Sequence, residues 1–218
     1  LLDRRGRANH AIPVAKPFDA EPANLPIDPY VLGVWLGDGT QTTTEITTPE
    51  PEIIEYITRL AAQEGLRLKI RQGNNCQRLF LRQAAQGNHY AQFLRESGLT
   101  AGKHIPHLYK ANGVEVRRAV LAGLLDTDGW VNKSGYQAIF KPRELAEDMA
   151  YLARSLGYSA SVKPRTKGCK AWGIEGTYWH VMLSGDFRDL PLRVKRKQPI
   201  ERKQIKNICR CQHLRTSV

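Results

Sequence analysis

Two acidic residues at matching places in the 218-residue chain are the first candidates for chemistry. Asp38 lies near the end of the apolar run VLGVWLGDG at 31–39, and Asp128 lies near the end of LAGLLDTDG at 121–129. Each acid is followed by glycine, and the two runs keep an offset of 90 positions (128 − 38). An offset held over many residues predicts an internal duplication, with a pseudo-twofold axis relating the copies.

A pair of carboxylates at two such helix ends would be electrostatically unfavourable without a cation. Each acid would face the negative end of a helix macrodipole, and two carboxylates a few ångströms apart repel each other. Mg²⁺ prefers hard oxygen ligands and commonly takes one or two protein carboxylates, with water and phosphate completing its shell. The pair therefore favours phosphodiester hydrolysis, in which such an ion activates water and stabilises the leaving oxygen.

Small residues one helical turn apart indicate how the two acids could be brought together. Gly33 and Gly37 occupy the first run, and Gly123 and Thr127 occupy the second. Small side chains let two helix backbones approach closely. We therefore expect the two helices to pack against each other with both acids side by side.

The elements around the two runs follow a similar order twice. In the first copy, periodicity and capping signals predict a helix over 28–39, a strand over 41–48, a helix from Thr48 to Gly65, strands over 66–72 and 78–82, and a helix over 89–97. In the second copy they predict a helix over 117–129, a strand over 136–140, a helix over 142–156, and strands over 159–165 and 178–183. The expected fold class is α+β.

The charge balance favours an anionic partner. Lys and Arg number 33 against 21 Asp and Glu, which gives a net charge of +12 and a pI near 9.7. No apolar run reaches the roughly 18 residues of a membrane span and no signal segment is evident, so we expect an intracellular protein that acts away from membranes. The four cysteines lack the spacing of zinc ligands and are expected to be free thiols.

The second run differs from the sequence LAGLIDADG at two positions, so the chain resembles the LAGLIDADG homing endonucleases. PYVLGVWLGDG in the first copy resembles the looser form of the intein-associated branch. The resemblance implies two pseudo-symmetric αββαββα-type subdomains, whose curved antiparallel sheets form a saddle on the DNA major groove. With the proline-rich start and the basic end, the expected organisation is an extended arm over 1–27, subdomains over 28–112 and 113–200, and a basic tail over 201–218.

The resemblance also assigns roles to individual residues. It implies that Asp38 and Asp128 bind metal and act in catalysis, with Gly39 and Gly129 contributing backbone contacts nearby. Lys103, in the stretch GKHIPHL, resembles the lysine that serves the first active site. Each half is then expected to cleave one DNA strand with its acid, a water nucleophile and a lysine.

The basic residue of the second site stays open between two candidates. The stretch LRVKRKQP contains Lys195 and Lys197, and either could be the counterpart of Lys103. No gap-free alignment chooses between them.

Polar residues on the predicted strands are candidates for DNA contacts. Residues two apart on a strand share a face, so such a face could read base edges while lysines and arginines hold phosphates. The candidates are Gln41, Thr43, Glu45, Thr47, Lys69, Arg71, Arg78 and Arg82 in the first copy, and Asn132, Lys133, Gln137, Lys163, Arg165, Lys167, His180 and Arg193 in the second.

The resemblance implies a site-specific endonuclease that makes a double-strand break in a long asymmetric target and leaves short 3′ overhangs. The expected cofactor is Mg²⁺ or Mn²⁺, the expected partner is double-stranded DNA, and the expected state is a monomer that needs no partner protein. We expect the endonuclease portion of an intein, without splicing activity of its own. Two alternatives remain: an RNA maturase on the same fold, which retention of both acids argues against, and a DNA-binding protein that has lost cleavage.

Overall fold

A computed structural model of the chain describes residues 12–13, 15–83, 88–132, 135–169, 174–199 and 208–209. Much of the predicted N-terminal arm and most of the predicted tail lie outside these residues. Strand β1 (Ile12–Pro13) pairs antiparallel with the last strand of the chain, Ile208–Cys209. Part of the predicted arm thus pairs with part of the predicted tail.

The first motif helix begins as its sequence signals predict. Asp28 caps α1 (Pro29–Asp38) by accepting a hydrogen bond from the Val31 amide at 2.8 Å, and proline occupies the first helical position. The other elements of the first half are β2 (Glu45–Thr48), α2 (Pro51–Gln63), β3 (Leu66–Gln72), β4 (Gln77–Gln83), α3 (His89–Glu96) and α4 (His107–Lys110).

The second half repeats the motif helix and its sheet with an additional strand. Its elements are α5 (Val114–Thr127), β5 (Trp130–Asn132), β6 (Gly135–Phe140), α6 (Arg143–Ser155), β7 (Ser159–Cys169), β8 (Ile174–Ser184), a 3₁₀ turn (Lys195–Lys197) and β9 (Ile208–Cys209). The sequence pattern did not predict α4, β5 or the 3₁₀ turn.

Each half contains one antiparallel sheet, and one face of each sheet is buried. The strand orders are β2-β4-β3 in the first half and β5-β6-β8-β7 in the second. Alternate residues of the strands, such as Leu79, Leu81, Tyr136 and Val181, lie in the hydrophobic core. The amphipathic helix α2 packs on β3, and α6 packs on β6, β7 and β8. The α+β prediction with two antiparallel sheets is confirmed.

The predicted strand over 41–48 is wrong in its first half, because residues 41–44 form a turn. The Thr43 hydroxyl accepts the Glu45 amide at 3.1 Å, and the Trp35 indole donates to the Thr43 carbonyl at 2.9 Å. These local bonds satisfy backbone groups that a strand would use in its ladder. In the first half the counterpart of β5 is reduced to a single antiparallel bridge between Gly39 and Ile46.

The predicted helix start at Thr48 is also wrong. Thr48 is the last residue of β2, opposite Gln77, and its hydroxyl accepts the Glu50 amide at 3.2 Å. The helix begins at Pro51 instead. Proline at the first position needs no hydrogen-bond partner for its nitrogen, so the boundary follows from Pro51.

The helices α1 and α5 pack directly against each other along glycines, as the small residues predicted. A Cβ atom on Gly33 would lie 2.3 Å from the Val120 carbonyl oxygen, and one on Gly123 would lie 2.4 Å from the Tyr30 carbonyl oxygen. Both distances are far below van der Waals contact. The close approach of the two backbones thus requires glycine at both positions.

Two findings bear on the compositional expectations. None of the helices in the described part of the chain is long and apolar enough to cross a bilayer. Cys76, the cysteine at the β3–β4 turn, is a free thiol of intermediate burial.

Candidate active site

The two predicted acids lie at the same end of the α1–α5 seam. Asp38 is the last residue of α1, and Asp128 is the C-cap of α5. A Cβ atom on Gly37 would lie 2.0 Å from the Thr127 hydroxyl oxygen and 3.3 Å from Asp128 Oδ2. The Asp128 carboxylate therefore lies against the last turn of α1, beside the residue that precedes Asp38.

The acids influence each other electrostatically. Burial and, to a smaller extent, the negative charge of Asp128 raise the pKa of Asp38 to about 6, and Lys197 and Lys103 oppose the rise. Burial also raises the pKa of Asp128, again opposed by the two lysines. At neutral pH two partly buried carboxylates repel each other here, and a bound cation would relieve the repulsion.

Lys103 caps the first motif helix. Its ammonium donates hydrogen bonds to the carbonyl oxygens of Trp35 (3.1 Å), Gly37 (3.1 Å) and Gly39 (2.7 Å). These groups form the negative end of α1, where a cation is favourable. Lys103 thus lies at the end of the helix that carries Asp38.

Lys197 caps the second motif helix in the same way. Its ammonium donates to the carbonyl oxygens of Leu125 (3.3 Å), Asp126 (2.8 Å) and Thr127 (2.5 Å). Lys197 is 5% exposed, whereas Lys195 is on the surface. The structure therefore makes Lys197 the geometric counterpart of Lys103 and places Lys195 away from the acids' helix end.

Both lysines lose part of their basicity in this environment. Burial is the main cause that lowers the pKa of Lys103, and the carboxylates of Asp128 and Asp38 oppose it. Burial also lowers the pKa of Lys197, assisted by the charge of Arg196. Two acids and two lysines thus form one compact, partly desolvated charge cluster.

The glycines after the acids have a packing role. A Cβ atom on Gly39 would lie 2.3 Å from the Trp35 carbonyl oxygen, and one on Gly129 would lie 2.6 Å from the Leu125 carbonyl oxygen. The Gly39 carbonyl oxygen already accepts the Lys103 ammonium. The steric need for glycine accounts for both residues without the metal contact that the resemblance implied.

The donor set suits a cation that needs few protein ligands. Within the residues that the structure describes, no group of three or more His, Cys, Asp or Glu side chains could hold a metal ion. Asp38 and Asp128 supply two hard carboxylates, which is the number that Mg²⁺ commonly takes when water and phosphate complete its shell. The mutual repulsion of the acids is consistent with such an ion.

The candidate DNA contacts on the first sheet share its outer face. In the ladder, Glu45 and Lys69 both pair with Phe80, and Thr47 and Arg71 both pair with Arg78, while Arg82 pairs with Arg67. Cross-strand partners point to the same side of a sheet. Gln41 and Thr43 lie in the turn before β2 instead, where the Gln41 amide donates to the Thr100 carbonyl oxygen at 3.1 Å.

The candidates on the second sheet also share one face, opposite the core. Gln137 and His180 are hydrogen-bonded at 2.9 Å. The ladder places Lys163 opposite His180 and Arg165 opposite Tyr178. Asn132 follows Trp130 by two residues and so lies on the same face. Lys133 and the side chain of Lys167 lie outside the described residues.

Arg193 lies away from both outer faces. Its guanidinium stacks on the ring of Tyr56 at 3.5 Å and on that of Tyr30 at 4.7 Å. These rings belong to α2 and α1. The structure thus places this predicted DNA contact among the helices.

Asp126 and Trp130 have roles that sequence reasoning missed. Asp126 is fully buried and accepts hydrogen bonds from the Tyr30 hydroxyl and the Arg193 amide, each at 2.7 Å. Trp130 is 40% exposed on the outer face of the second sheet, and its ring stacks parallel to that of His180 at 5.9 Å. Asp126 stands inside the motif where the first copy has Leu36, and this difference was a visible signal of a special role.

A comparison of the sequence with known protein families identifies a domain in the second half. Residues 115–206 match the family model described as a LAGLIDADG-like domain. The first motif helix and its sheet repeat the same plan outside the matched range. The second half of the chain therefore contains a LAGLIDADG-like domain.

Solved structures with the LAGLIDADG fold resemble this chain. One is a crystal structure of I-DmoI in complex with DNA and Ca, with a TM-score of 0.51 and 14% identity, covering 73% of this chain and 83% of that chain. Another is I-DmoI in complex with DNA and Mn, with a TM-score of 0.50 and 14% identity, covering 73% and 89%. At this identity the likeness shows the fold.

Two curated proteins also match. A replicative DNA helicase DnaB of Mycobacterium intracellulare is 37% identical over 158 residues, which cover 72% of this chain and 23% of the relative. The homothallic switching endonuclease of Saccharomyces cerevisiae is 28% identical over 167 residues, covering 63% of this chain and 28% of the relative. This chain spans about a quarter of the length of these relatives.

Proposed function

We propose that this chain is a DNA endonuclease that makes a site-specific double-strand break by metal-dependent phosphodiester hydrolysis. The observation that carries the proposal is the charge cluster itself. Asp38 and Asp128 lie at one end of a glycine-lined seam, and each motif helix is capped by a lysine, half-buried Lys103 or buried Lys197. The fold it shares with the homing endonuclease I-DmoI supports the same conclusion.

The acids and the lysines of the charge cluster have different roles in the proposed reaction. Asp38 and Asp128 would hold a divalent ion, Mg²⁺ or Mn²⁺, which when bound supplies an activated water and neutralises charge on the leaving oxygen. Lys103 and Lys197 neutralise the negative helix ends behind the acids and so favour both carboxylates in their ionised form. Each acid with its lysine then serves one strand of the duplex.

The charge on the first sheet supports a polyanionic substrate. Arg71 lies directly opposite Arg78, and Arg67 lies opposite Arg82. Like charges directly opposite each other on a sheet are destabilising unless something compensates them, and within the protein Glu45 pairs with Arg78 at 3.6 Å. A net charge of +12 adds long-range attraction. We infer that the outer sheet faces hold DNA, with phosphates neutralising these arginine pairs.

Target selection followed by acid variants tests the proposal. The protein is incubated with a randomised duplex library and Mg²⁺, and the cut ends are sequenced. We expect one long target with short 3′ overhangs, and we expect Asp38→Asn and Asp128→Asn each to slow cleavage of at least one strand strongly. The exposed Asp19→Asn is the matched control. Full-rate cutting of both strands by either acid variant would contradict the assignment.

The same assay separates the alternatives. Tight duplex binding without cleavage would indicate a DNA-binding protein that has lost its nuclease activity. Preference for structured intron RNA over duplex DNA would indicate a maturase. We propose a monomer without a partner protein, because one chain supplies both acids and both capping lysines; sedimentation of the DNA complex tests this.

We further propose that the segment is the endonuclease portion of an intein, acting inside the cell where the host DNA lies. Relatives matched over about a quarter of their length include proteins named as a DNA helicase and as an iron–sulfur cluster assembly protein. A shared segment within such different proteins is what an inserted element would produce. Sequencing the gene on both sides of the segment tests this, and an uninterrupted endonuclease reading frame with no host protein would contradict it.

A further inference from the structure

The two capping lysines reach their helices on segments that are fastened to the opposite half of the molecule. Lys103 lies between α3 and α4 of the first half, and Lys197 lies in the 3₁₀ turn after the second sheet. Each lysine contacts the motif helix of its own half. Both segments are also anchored by the amphipathic helix of the other half, in addition to bonds within their own half such as the one from the Tyr136 hydroxyl to the Lys197 carbonyl oxygen.

The Lys103 segment is anchored by Asp148 of α6. The Ile105 amide, two residues from Lys103, donates to Asp148 Oδ2 at 2.7 Å, and the Lys110 ammonium pairs with Asp148 Oδ1. Asp148 is 7% exposed, so these are hydrogen bonds in a low-dielectric setting. A carboxylate of the second half thus fixes the loop that carries the lysine of the first.

The Lys197 segment of the second half is anchored by α2 of the first half. Arg196, the neighbour of Lys197, forms an ion pair with Glu50, the N-cap residue of α2. The Lys195 amide donates to Glu52 Oε1 at 3.3 Å, and Arg193 stacks on Tyr56. Glu50 is 8% exposed, and its charge also reaches Lys197.

We propose that Asp148 and Glu50 are reciprocal positioning residues, each holding the segment that carries the capping lysine of the other half. Neither half would then assemble its own acid–lysine pair without the other. Asp148 and Glu50 hold the segments that carry the lysines, and the charge of Glu50 also raises the pKa of Asp38 directly.

Lysine reactivity in the intact protein tests the anchors without any substrate. A short pulse of an acetylating ester is followed by peptide mass spectrometry of Lys103 and Lys197. Asp148→Asn should speed acetylation of Lys103 about tenfold, as expected for losing a charge-assisted hydrogen bond, and leave Lys197 unchanged. Glu50→Gln should do the reverse.

Further variants separate anchoring from a general loss of stability. Lys110→Met removes one of the two partners of Asp148 and should expose Lys103 less than Asp148→Asn does, because the Ile105 amide still donates to Asp148. Arg196→Met removes the ion pair with Glu50 and should expose Lys197 as Glu50→Gln does. The controls are Glu144→Gln on α6 and Glu55→Gln on α2, both exposed acids. Asp148→Glu keeps the charge and should restore part of the protection of Lys103.

Strand-resolved cleavage provides the second readout, and this part rests on the proposed nuclease function. Asp148→Asn should slow the same strand as Lys103→Met, and Glu50→Gln the same strand as Lys197→Met, with the Kd for duplex DNA unchanged. A merely structural defect would slow both strands alike.

The outcomes distinguish the two proposals. If the anchor variants expose both lysines equally, or neither, the reciprocal anchoring is overturned even where the enzyme cuts DNA normally. If the lysine reactivities respond as expected but the unaltered protein cuts no duplex, the anchoring stands and the nuclease proposal falls.

Discussion

The two halves present the same capped helix end but support it differently. Lys103 and Lys197 each donate to three carbonyl oxygens of their own motif helix. Inside the motif, however, the first half has Leu36 where the second has Asp126, and Asp126 accepts two backbone amides of the 193–194 segment. The two halves are therefore most alike at the helix ends that bear the acids and the lysines. The hydrogen bonds that hold the surrounding segments differ between the halves.

The outer sheet faces differ as well. The first carries two directly opposed arginine pairs, whereas the second carries the stacked rings of Trp130 and His180 beside the separate cations of Lys163 and Arg165. A cationic face suits phosphates, and an aromatic face suits sugars and base edges. We expect the two sheets to contribute differently to affinity and to specificity.

The largest loss of stability is expected from substitutions in the glycine seam, where the two halves are most alike. Gly33→Ala and Gly123→Ala each force a Cβ atom into the partner helix backbone, because less than 2.5 Å is available. Each should lower the free energy of unfolding by about 3 kcal/mol, measured by urea denaturation. Gly102→Ala, where a Cβ atom meets nothing within 4 Å, is the control. A large cost at one glycine and none at the other would contradict a symmetric seam.

The next largest loss of stability is expected from a substitution of Asp126, which has no counterpart in the first half. Asp126→Leu copies the residue of the first motif and leaves buried donors unsatisfied, among them the Tyr30 hydroxyl and the Arg193 amide. We expect a loss of about 2 kcal/mol in urea denaturation, together with faster acetylation of Lys197 but not of Lys103. Asp19→Leu, an exposed acid, is the control. Unchanged stability would mean that Asp126 does not hold the 193–194 segment.

A smaller effect is expected from the titration of Asp38. Its pKa rises from 3.8 to about 6 on folding. Between these two pH values the folded chain therefore binds more protons than the unfolded chain. The free energy of unfolding should therefore fall as pH rises from about 4 to about 6. In Asp38→Asn the free energy of unfolding should depend less on pH in this range, whereas in Asp19→Asn the dependence should stay as it is. Thermal melting at a series of pH values measures this. A variant curve parallel to that of the unaltered protein would show that Asp38 is not the group responsible.

The smallest effect compares the two sheet faces. Arg71→Gln should weaken duplex binding a few-fold and reduce the salt slope of log Kd by about one phosphate contact. Trp130→Ala should weaken binding by about 1 kcal/mol with the salt slope unchanged, since a ring contact releases no counterion. Fluorescence anisotropy at several salt concentrations measures both. Equal slopes for the two variants would contradict a division of labour between the faces.

Sequence reasoning predicted the repeated features better than the unique ones. The ends of the motif helices and the glycine seam follow from local signals and from the offset between the copies, whereas Lys103 was predicted from the family resemblance. The turn over 41–44 was missed because a threonine-rich run is typical of strands. The bonds that hold the turn come from the Trp35 indole and the Thr43 hydroxyl.

The choice between Lys195 and Lys197 could not be made from sequence because it depends on a 3₁₀ turn. That turn places Lys197 inward and Lys195 on the surface. Asp148 and Glu50 were likewise hidden, since their partners lie more than 35 positions away along the chain. Such contacts follow from tertiary packing, which hydrophobic periodicity does not encode.

The central claim is that Asp38 and Asp128 together hold one divalent cation, and a Mn²⁺ titration tests it most directly. Electron paramagnetic resonance of the free ion, at a pH above 7 and without DNA, counts bound Mn²⁺. We expect the unaltered protein and Asp19→Asn to bind equally, and Asp38→Asn and Asp128→Asn each to weaken binding at least about tenfold, the effect of 1.4 kcal/mol. Undiminished binding in either acid variant would contradict the shared site.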